Sequence, residues 1–323
     1  MSLSLATAYD KELPFKLSGK GPFPSSECQV RPDTRFWLPA RDPRLISIHH
    51  GQPLPAHSHP ALENLEGQRK YWQEHPDWMN MLDPSSPVFD DKQLELGLYK
   101  SLWDKWLSPT ANVLDLGGGV GRISQWLMAT GCSVELVDPD LRSLWVACSM
   151  LSAQKGHFDL HWSTAEHIDQ FLVGPYDVIV ACELLNYVED PALILQHCYR
   201  LLKPGGILLL SVEAKYGWLC SRDAAPQSIE ALWNNGIVHV PNDRWVRTYD
   251  ETDLRGLLNE WRIAQLVPTH YSCSGPFEQA AGRQNLAQAL ALDKRLREHP
   301  VTRAWNRAWT VIAQKPTSRT AIG

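Results

Sequence analysis

The stretch with the clearest chemistry is Asp115-Leu116-Gly117-Gly118-Gly119-Val120-Gly121. The apolar residues Val113 and Leu114 lead into it, and a helical pattern from Ile123 to Met128 follows at once. Strand, glycine turn and helix make a nucleotide-cofactor geometry. Residues without a Cβ let a ligand approach the backbone, and the first helical turn offers free N–H groups. The spacing narrows the cofactor. A dinucleotide fingerprint GxGxxG needs a sixth-position glycine at 122, where Arg122 stands. On the reacting side, Glu183 in Cys182-Glu183-Leu184-Leu185-Asn186-Tyr187 follows an apolar run, and a carboxylate at a strand end can act as a general base or orient a second substrate.

These residues need a scaffold, and the chain supplies alternating strands and helices from Asn112 onward. The pattern predicts strands at Asn112–Leu116, Ser133–Val137, Phe158–Trp162, Tyr176–Ala181 and Ile207–Val212. Between them it predicts helices at Arg122–Ala129, Leu141–Lys155, a short turn near Glu166–Phe171, and Pro191–Leu202, stopped by Lys203-Pro204-Gly205-Gly206. Continuous apolar strands alternating with helices imply a parallel α/β sheet covered on both faces, in which ligands bind at the carboxyl ends of the strands.

Outside that block the reading is coarser. Residues 1–60 are rich in proline and form an extended or irregular extension, with one short strand expected at Arg44–His49. His49, His50, His57 and His59 cluster there without a carboxylate or cysteine pattern, so a histidine-bearing loop is expected rather than a metal site. Residues 61–108 form an N-terminal helical lid, with helical spacing over Leu62–His75 and again from Asp90 or Asp91, as cap, to Trp106. The main domain covers 109–315. Its segment 213–246 is too long for a simple connection and is expected to cap the active-site edge. Asp250 then caps a helix ending near Trp261, further elements are expected at Ile263–Pro268, Gln279–Arg297 and Thr302–Ala313, and 316–323 is a tail.

The glycine run resembles motif I of the class I S-adenosylmethionine-dependent methyltransferases, a hydrophobic strand followed by Asp/Glu-x-Gly-x-Gly-x-Gly. The likeness continues in order through Val134-Glu135-Leu136-Val137-Asp138, Tyr176-Asp177-Val178-Ile179-Val180-Ala181 and Leu201-Leu202-Lys203-Pro204-Gly205-Gly206. Four motifs in register over about residues 110–215 are far more specific than one glycine run. The resemblance implies a Rossmann-like methyltransferase sheet with helices on both faces, an N-terminal extension and a lid inserted after the fifth strand. It implies S-adenosylmethionine as cofactor and S-adenosylhomocysteine as product. Asp115 would meet the methionine amino group, and Gly117, Gly119 and Gly121 would clear space for the methionine and ribose. Asp138 would accept both ribose hydroxyls, with helix capping as its other use. Pro139 and Leu141 would flank the adenine, with Thr164 and Ala165 at its rim, where Thr164 stands in place of the family's usual carboxylate. Cys182 would line the cofactor side.

The acceptor side is encoded less sharply. Glu183 is the leading catalytic candidate, with a structural hydrogen bond as its alternative role. His239, in the expected lid, is the second, able to deprotonate a hydroxyl, with packing as its alternative. His270, Tyr216, Trp218, Glu213 and Tyr271 are further candidates. The resemblance and the aromatic lid together suggest a small-molecule acceptor, with oxygen first and carbon or nitrogen next.

Bulk composition fits an enzyme of this kind. The 323 residues carry 44% hydrophobic and 21% charged side chains and a formal net charge of −5, with no basic footprint for nucleic acid or an anionic membrane surface. No apolar run approaches the roughly 20 residues of a membrane span. The N-terminus has no secretory pattern, and the seven scattered cysteines form no CxxC pair, so reduced thiols in a cytoplasmic protein are expected. Two other functions stand beside methyl transfer. One is a NAD-dependent oxidoreductase, disfavoured by Arg122. The other is a catalytically silent methyltransferase-like binding subunit, disfavoured by the intact glycine run and Asp138.

Overall fold

The computed structural model describes residues 80–220, 230, 232–234, 236–239, 245–273 and 285–317, together with three short strands nearer the N-terminus. Those three are β1 (Gln29–Val30), β2 (Arg35–Trp37) and β3 (Leu45–Ile48). The parallel core is β4 (Asn112–Leu116), β5 (Ser133–Asp138), β6 (Phe158–Trp162), β7 (Tyr176–Cys182) and β8 (Leu202–Glu213). A small hairpin, β9 (Ile237–His239) and β10 (Trp245–Arg247), precedes β11 (Arg262–Thr269) and β12 (Ala308–Gln314). One ten-stranded sheet runs in the order β1-β2-β3-β6-β5-β4-β7-β8-β12-β11. From β3 to β8 neighbouring strands are parallel, and β12 lies antiparallel between β8 and β11.

The central strands β4, β7, β8 and β12 are buried on both faces, which explains their unbroken apolar runs. Helices α1 (Phe89–Trp103), α2 (Arg122–Ala129) and α3 (Leu141–Ser152) cover one face, where Tyr99, Trp103, Leu127, Leu144 and Leu151 pack on Val113, Leu136 and Leu160. On the other, α4 (Pro191–Leu201) and α5 (Glu251–Leu257) bury Ile194, Leu195, Cys198 and Leu254 against Leu114, Ile179 and Leu208. Helix α6 (Leu286–Glu298) packs against α1, with the Leu286 side chain over Gly97. Each fully buried leucine contributes on the order of 2 kcal/mol of transfer free energy.

Most expected boundaries hold, and the departures have local causes. Helix α1 begins at Phe89 after Val88, so Asp90 and Asp91 lie in its first turn instead of capping it. There their charge still opposes the positive end of the helix dipole. Helix α3 ends at Ser152, short of Lys155. Strand β8 begins at Leu202, and Lys203–Gly206 bulges within it, as pairing steps from Tyr176 with Leu202 to Val178 with Ile207. Asp190 caps α4 by accepting the Ala192 and Leu193 N–H groups at 3.0 and 3.1 Å. Asp250 forms a reciprocal cap with Asp253 at the start of α5. Helix α6 starts at its Asn285 cap, and the expected helix at Leu62–His75 and the four clustered histidines lie outside the described residues.

After β8 the chain forms a small layer of its own. Trp218, Leu232, Val238 and Val246 make its core, with Tyr187 packed against it. Trp218 donates its indole N–H to Glu213 at 2.7 Å, and Arg307 pairs with the same carboxylate, which anchors this layer to the end of β8. No helix among the described residues is long and apolar enough to cross a membrane.

Candidate active site

The chain runs β4, β5, β6 toward one edge of the sheet and then returns through β7 and β8 toward the other. The strand order therefore reverses between β4 and β7, and the crevice at the carboxyl ends of those strands is where open α/β sheets bind ligands. The glycine loop, Asp115, Asp138 and Glu183 all lie at that end.

The loop is held by main-chain bonds. Gly117 and Gly118 donate to the Val137 carbonyl at 2.8 and 3.3 Å, and Gly121 donates to Gly118 at 2.9 Å. Gly119 has φ +53°, and a Cβ built on it meets nothing within 4 Å. Its missing side chain is not explained by packing, so it leaves open space over the loop. Gly121, at φ +82°, caps α2 without a side-chain bond, and the first turn of that helix starts at the crevice.

Asp115 is 1% exposed, and Ser124 donates to its Oδ2 at 2.6 Å. Its Oδ1 is buried and has no partner. A buried carboxylate oxygen without a donor is costly, and an ammonium group satisfies it directly. Burial pushes the Asp115 carboxyl up to about 6, against the opposing hydrogen bond from Ser124. Asp138 accepts the N–H of Asp140 at 2.8 Å on Oδ1 and that of Gly119 at 2.8 Å on Oδ2. Burial raises it to about 7, with the neighbouring Asp140 adding to the shift. The cap of α3 is Asp140, which accepts from Ser143 N and Oγ at 3.3 and 2.9 Å, so Asp138 is free of that role.

Around these groups, Trp162 donates its indole N–H to the Pro139 carbonyl at 2.9 Å. The Thr164 hydroxyl shares a 2.9 Å hydrogen bond with His167 Nδ1, and Ala165 is buried. The Cys182 sulfur lies 3.2 Å from Ser211 Oγ, and burial pushes its thiol up to about 12, which leaves it a poor nucleophile. Glu183 follows directly. It is half-buried, and the next residue, Leu184, packs against Gly117. The Tyr99 hydroxyl donates to Glu183 Oε1 at 3.0 Å. His239 ends β9 opposite Trp245, and its side chain lies outside the described residues.

Two contributors escape a local reading of the sequence, and a third does not. Arg122, notable there only for not being glycine, donates to the Lys92 carbonyl at 3.1 Å and to Glu95 Oε2 at 3.2 Å, joining α1 to the start of α2. Tyr99 reaches Glu183 across 84 positions. Ser124 is the exception with a local signal: it sits in the first turn after the glycines, where a hydroxyl can face back to Asp115.

The site fits S-adenosylmethionine on its own chemistry: an unsatisfied buried carboxylate for the ammonium, an open glycine cradle, and a second buried carboxylate for hydroxyls. The comparisons agree. The model of a methyltransferase domain family matches residues 92–261. A ubiquinone biosynthesis O-methyltransferase from Pseudomonas aeruginosa (strain LESB58) is 36% identical over 99 residues, 31% of this chain and 43% of that one. The match thus spans under half the length of that curated relative. Among solved structures, magnesium protoporphyrin IX methyltransferase from Synechocystis PCC 6803 with bound S-adenosylhomocysteine superposes with a TM-score of 0.50 at 16% identity, over 77% of this chain and 97% of that one. A Pyrococcus horikoshii protein superposes with a TM-score of 0.53 at 14% identity, over 76% of this chain and 98% of that one. The chain belongs to the methyltransferase domain family, and its fold is that of the class I S-adenosylmethionine-dependent enzymes.

Proposed function

We propose that this protein transfers the methyl group of S-adenosylmethionine to a hydroxyl oxygen of a small-molecule acceptor, with Glu183 as the general base. The observation that carries the reading is the placement of Glu183. It follows the carboxyl end of β7, one residue from the Leu184 side chain that lies on Gly117 of the cofactor loop. Bound there, the cofactor would supply a sulfonium methyl to the acceptor oxygen, its carbon–sulfur bond breaking with the electron pair left on the sulfur of S-adenosylhomocysteine. Glu183 takes the hydroxyl proton. Asp115 holds the methionine ammonium, Asp138 the ribose hydroxyls, and Pro139, Thr164 and Ala165 the adenine rim. The base is needed because a neutral hydroxyl is a weak nucleophile, whereas an amine or thiolate needs mainly positioning.

The preference for oxygen is supported by the O-methyltransferase among the relatives and by the carboxylate itself. The walls of the acceptor pocket are assigned to segment 61–108 and the cap at 213–246, with 1–60 as an extension, 109–315 as the catalytic body and 316–323 as a tail. The acidic balance and the thiols of Cys132, Cys182, Cys198 and Cys273, none in a disulfide, support a cytoplasmic enzyme acting on a metabolite. The test begins with calorimetric titration of S-adenosylhomocysteine, followed by transfer from methyl-tritiated S-adenosylmethionine to a panel of phenols, carboxylic acids, acidic C–H compounds and amines. Label in the hydroxyl compounds is expected. Absence of S-adenosylhomocysteine binding overturns the methyltransferase reading, and label confined to amines or carbon overturns the choice of oxygen.

A further inference from the structure

Two non-glycine residues among those described have positive φ: Glu183 at 57° and His270 at 64°. Such conformations are strained for residues with a Cβ, and they persist where surrounding contacts over-determine them. These two lie 87 positions apart in sequence yet are joined through one side chain, Tyr99. The Tyr99 ring stacks on Trp103 with centroids 4.7 Å apart and lies against the His270 ring at 4.4 Å. Its hydroxyl donates to Glu183 Oε1 at 3.0 Å.

Each end of this chain of contacts is fixed independently. Asp293 of α6, fully buried, accepts the His270 N–H at 2.7 Å and the Tyr271 N–H at 3.1 Å, which holds the strained turn. The His270 ring is set by Thr269 Oγ1, 2.8 Å from Nδ1, and by the Glu95 carbonyl, 3.4 Å from Nε2. At the other end, the Glu183 N–H donates to the Ser211 carbonyl at 2.9 Å and lies 3.1 Å from Ser211 Oγ. The backbone at Glu183 is therefore pinned to β8, and the direction of its side chain is set by Tyr99.

We infer that Tyr99 is a positioning residue that aims the Glu183 carboxylate at the transferring methyl group, and that the His270 turn, braced by Asp293, holds Tyr99 in place. The inference deepens the proposed function and rests on it. A hydrogen bond from a buried phenol fixes one carboxylate oxygen and leaves the other to take the acceptor proton. Burial also raises the Tyr99 phenol well above its ordinary value, so it remains a donor across the working pH range. A purely structural tyrosine would be indifferent to the charge at the methyl position, whereas one that aims Glu183 responds to it.

The test needs no acceptor. Sinefungin carries an amine at the position of the transferring methyl, whereas S-adenosylhomocysteine carries nothing there, so the ratio of their affinities reads the carboxylate facing that point. Glu183→Gln is expected to weaken sinefungin about tenfold and Tyr99→Phe about fivefold, with S-adenosylhomocysteine changed less than about twofold by either. The double variant is expected to be no weaker than Glu183→Gln alone, since Tyr99 acts through Glu183. Equal losses for both ligands, or additive losses in the double variant, overturn the inference and leave the methyltransferase reading intact. Failure of the wild-type protein to bind S-adenosylhomocysteine overturns both. If Tyr99→Phe does not fold, wild-type protein labelled with 13C at tyrosine Cζ carries the test. The resonance that shifts in Glu183→Gln must also move on adding sinefungin, and an unmoved resonance overturns the inference.

Discussion

The carboxylate of Asp138 accepts the backbone N–H of Gly119 at 2.8 Å, tying the end of β5 to the glycine loop at the end of β4. One side chain therefore shapes the loop, and in the proposed function it also accepts the two ribose hydroxyls. Asp138→Ala is expected to weaken S-adenosylhomocysteine by roughly 150-fold or more, the loss of two hydrogen bonds to a charged acceptor at about 1.5 kcal/mol or more each. Asp138→Asn, which keeps one acceptor oxygen, should lose less. Calorimetric titration measures both, and a loss below about threefold for Asp138→Ala would remove it from the cofactor site.

The same burial gives the site a pH dependence. Asp115 is raised to about 6 and Asp138 to about 7, from an ordinary value of 3.8. Between about pH 4 and pH 7 the folded protein therefore binds more protons at these groups than the unfolded chain does. Their contribution makes the ligand-free protein less stable as pH rises through that window. Ligand binding has the opposite sign, because the ammonium and the hydroxyls select the ionised carboxylates. Affinity for S-adenosylhomocysteine should level off above the Asp138 value, fall about tenfold per pH unit between the Asp138 and Asp115 values, and fall more steeply below the Asp115 value. Titrations from about pH 5.5 to 8 check this, and a flat profile would show that neither carboxylate meets the ligand.

Much of this site is legible in the sequence because its signals are local. The Gly117–Gly121 run, Asp138 at a strand end and the Asp190 and Asp250 caps each depend on residues within one turn or strand, where spacing and side-chain type suffice. Tyr99 and Glu183 are different. Their contact depends on how α1 crosses the sheet, which no short-range pattern encodes, and a tyrosine at helical spacing reads as core whether or not its hydroxyl has a task. Arg122 was informative only in what it excluded, since its partners Lys92 and Glu95 lie on a helix that is separate in sequence. The misplaced cap at Asp90 and Asp91 has another cause: both residues favour the first turn as well as the cap, and only the backbone distinguishes the two.

Two glycines separate space kept for a ligand from space required by packing. A Cβ on Gly119 meets nothing within 4 Å, whereas one on Gly217 would lie 2.3 Å from the Asn306 carbonyl oxygen. Gly119→Ala is expected to fold with a loss of about 1–2 kcal/mol from its positive φ, while losing S-adenosylhomocysteine more than tenfold. Gly217→Ala should instead lower the melting temperature sharply, with the ligand still bound by the fraction that folds. Thermal melts with and without S-adenosylhomocysteine distinguish the two, and tight binding by Gly119→Ala would rule out cofactor over that residue.

The Arg122–Glu95 pair joins the start of α2 to α1, with side chains 12% and 16% exposed. Burial alone would raise the Glu95 carboxyl, but the charges of Lys92 and Arg122 prevail and hold it well below the usual carboxylate range. Removing one member leaves the other charge buried without its partner, so Glu95→Ala should lower stability by roughly 3 kcal/mol in urea unfolding at neutral pH. Replacing Lys92, Glu95 and Arg122 together with methionine should cost much less, because none of the three charges then has to be desolvated. As the pair also holds α1 against the glycine loop, the single variant should weaken S-adenosylhomocysteine under conditions where it remains folded. If Glu95→Ala unfolds at the wild-type urea midpoint, the pair is not a tie between the two helices, and α1 is held by its other contacts, among them the packing of Tyr99 and Trp103 and the Leu286 side chain over Gly97.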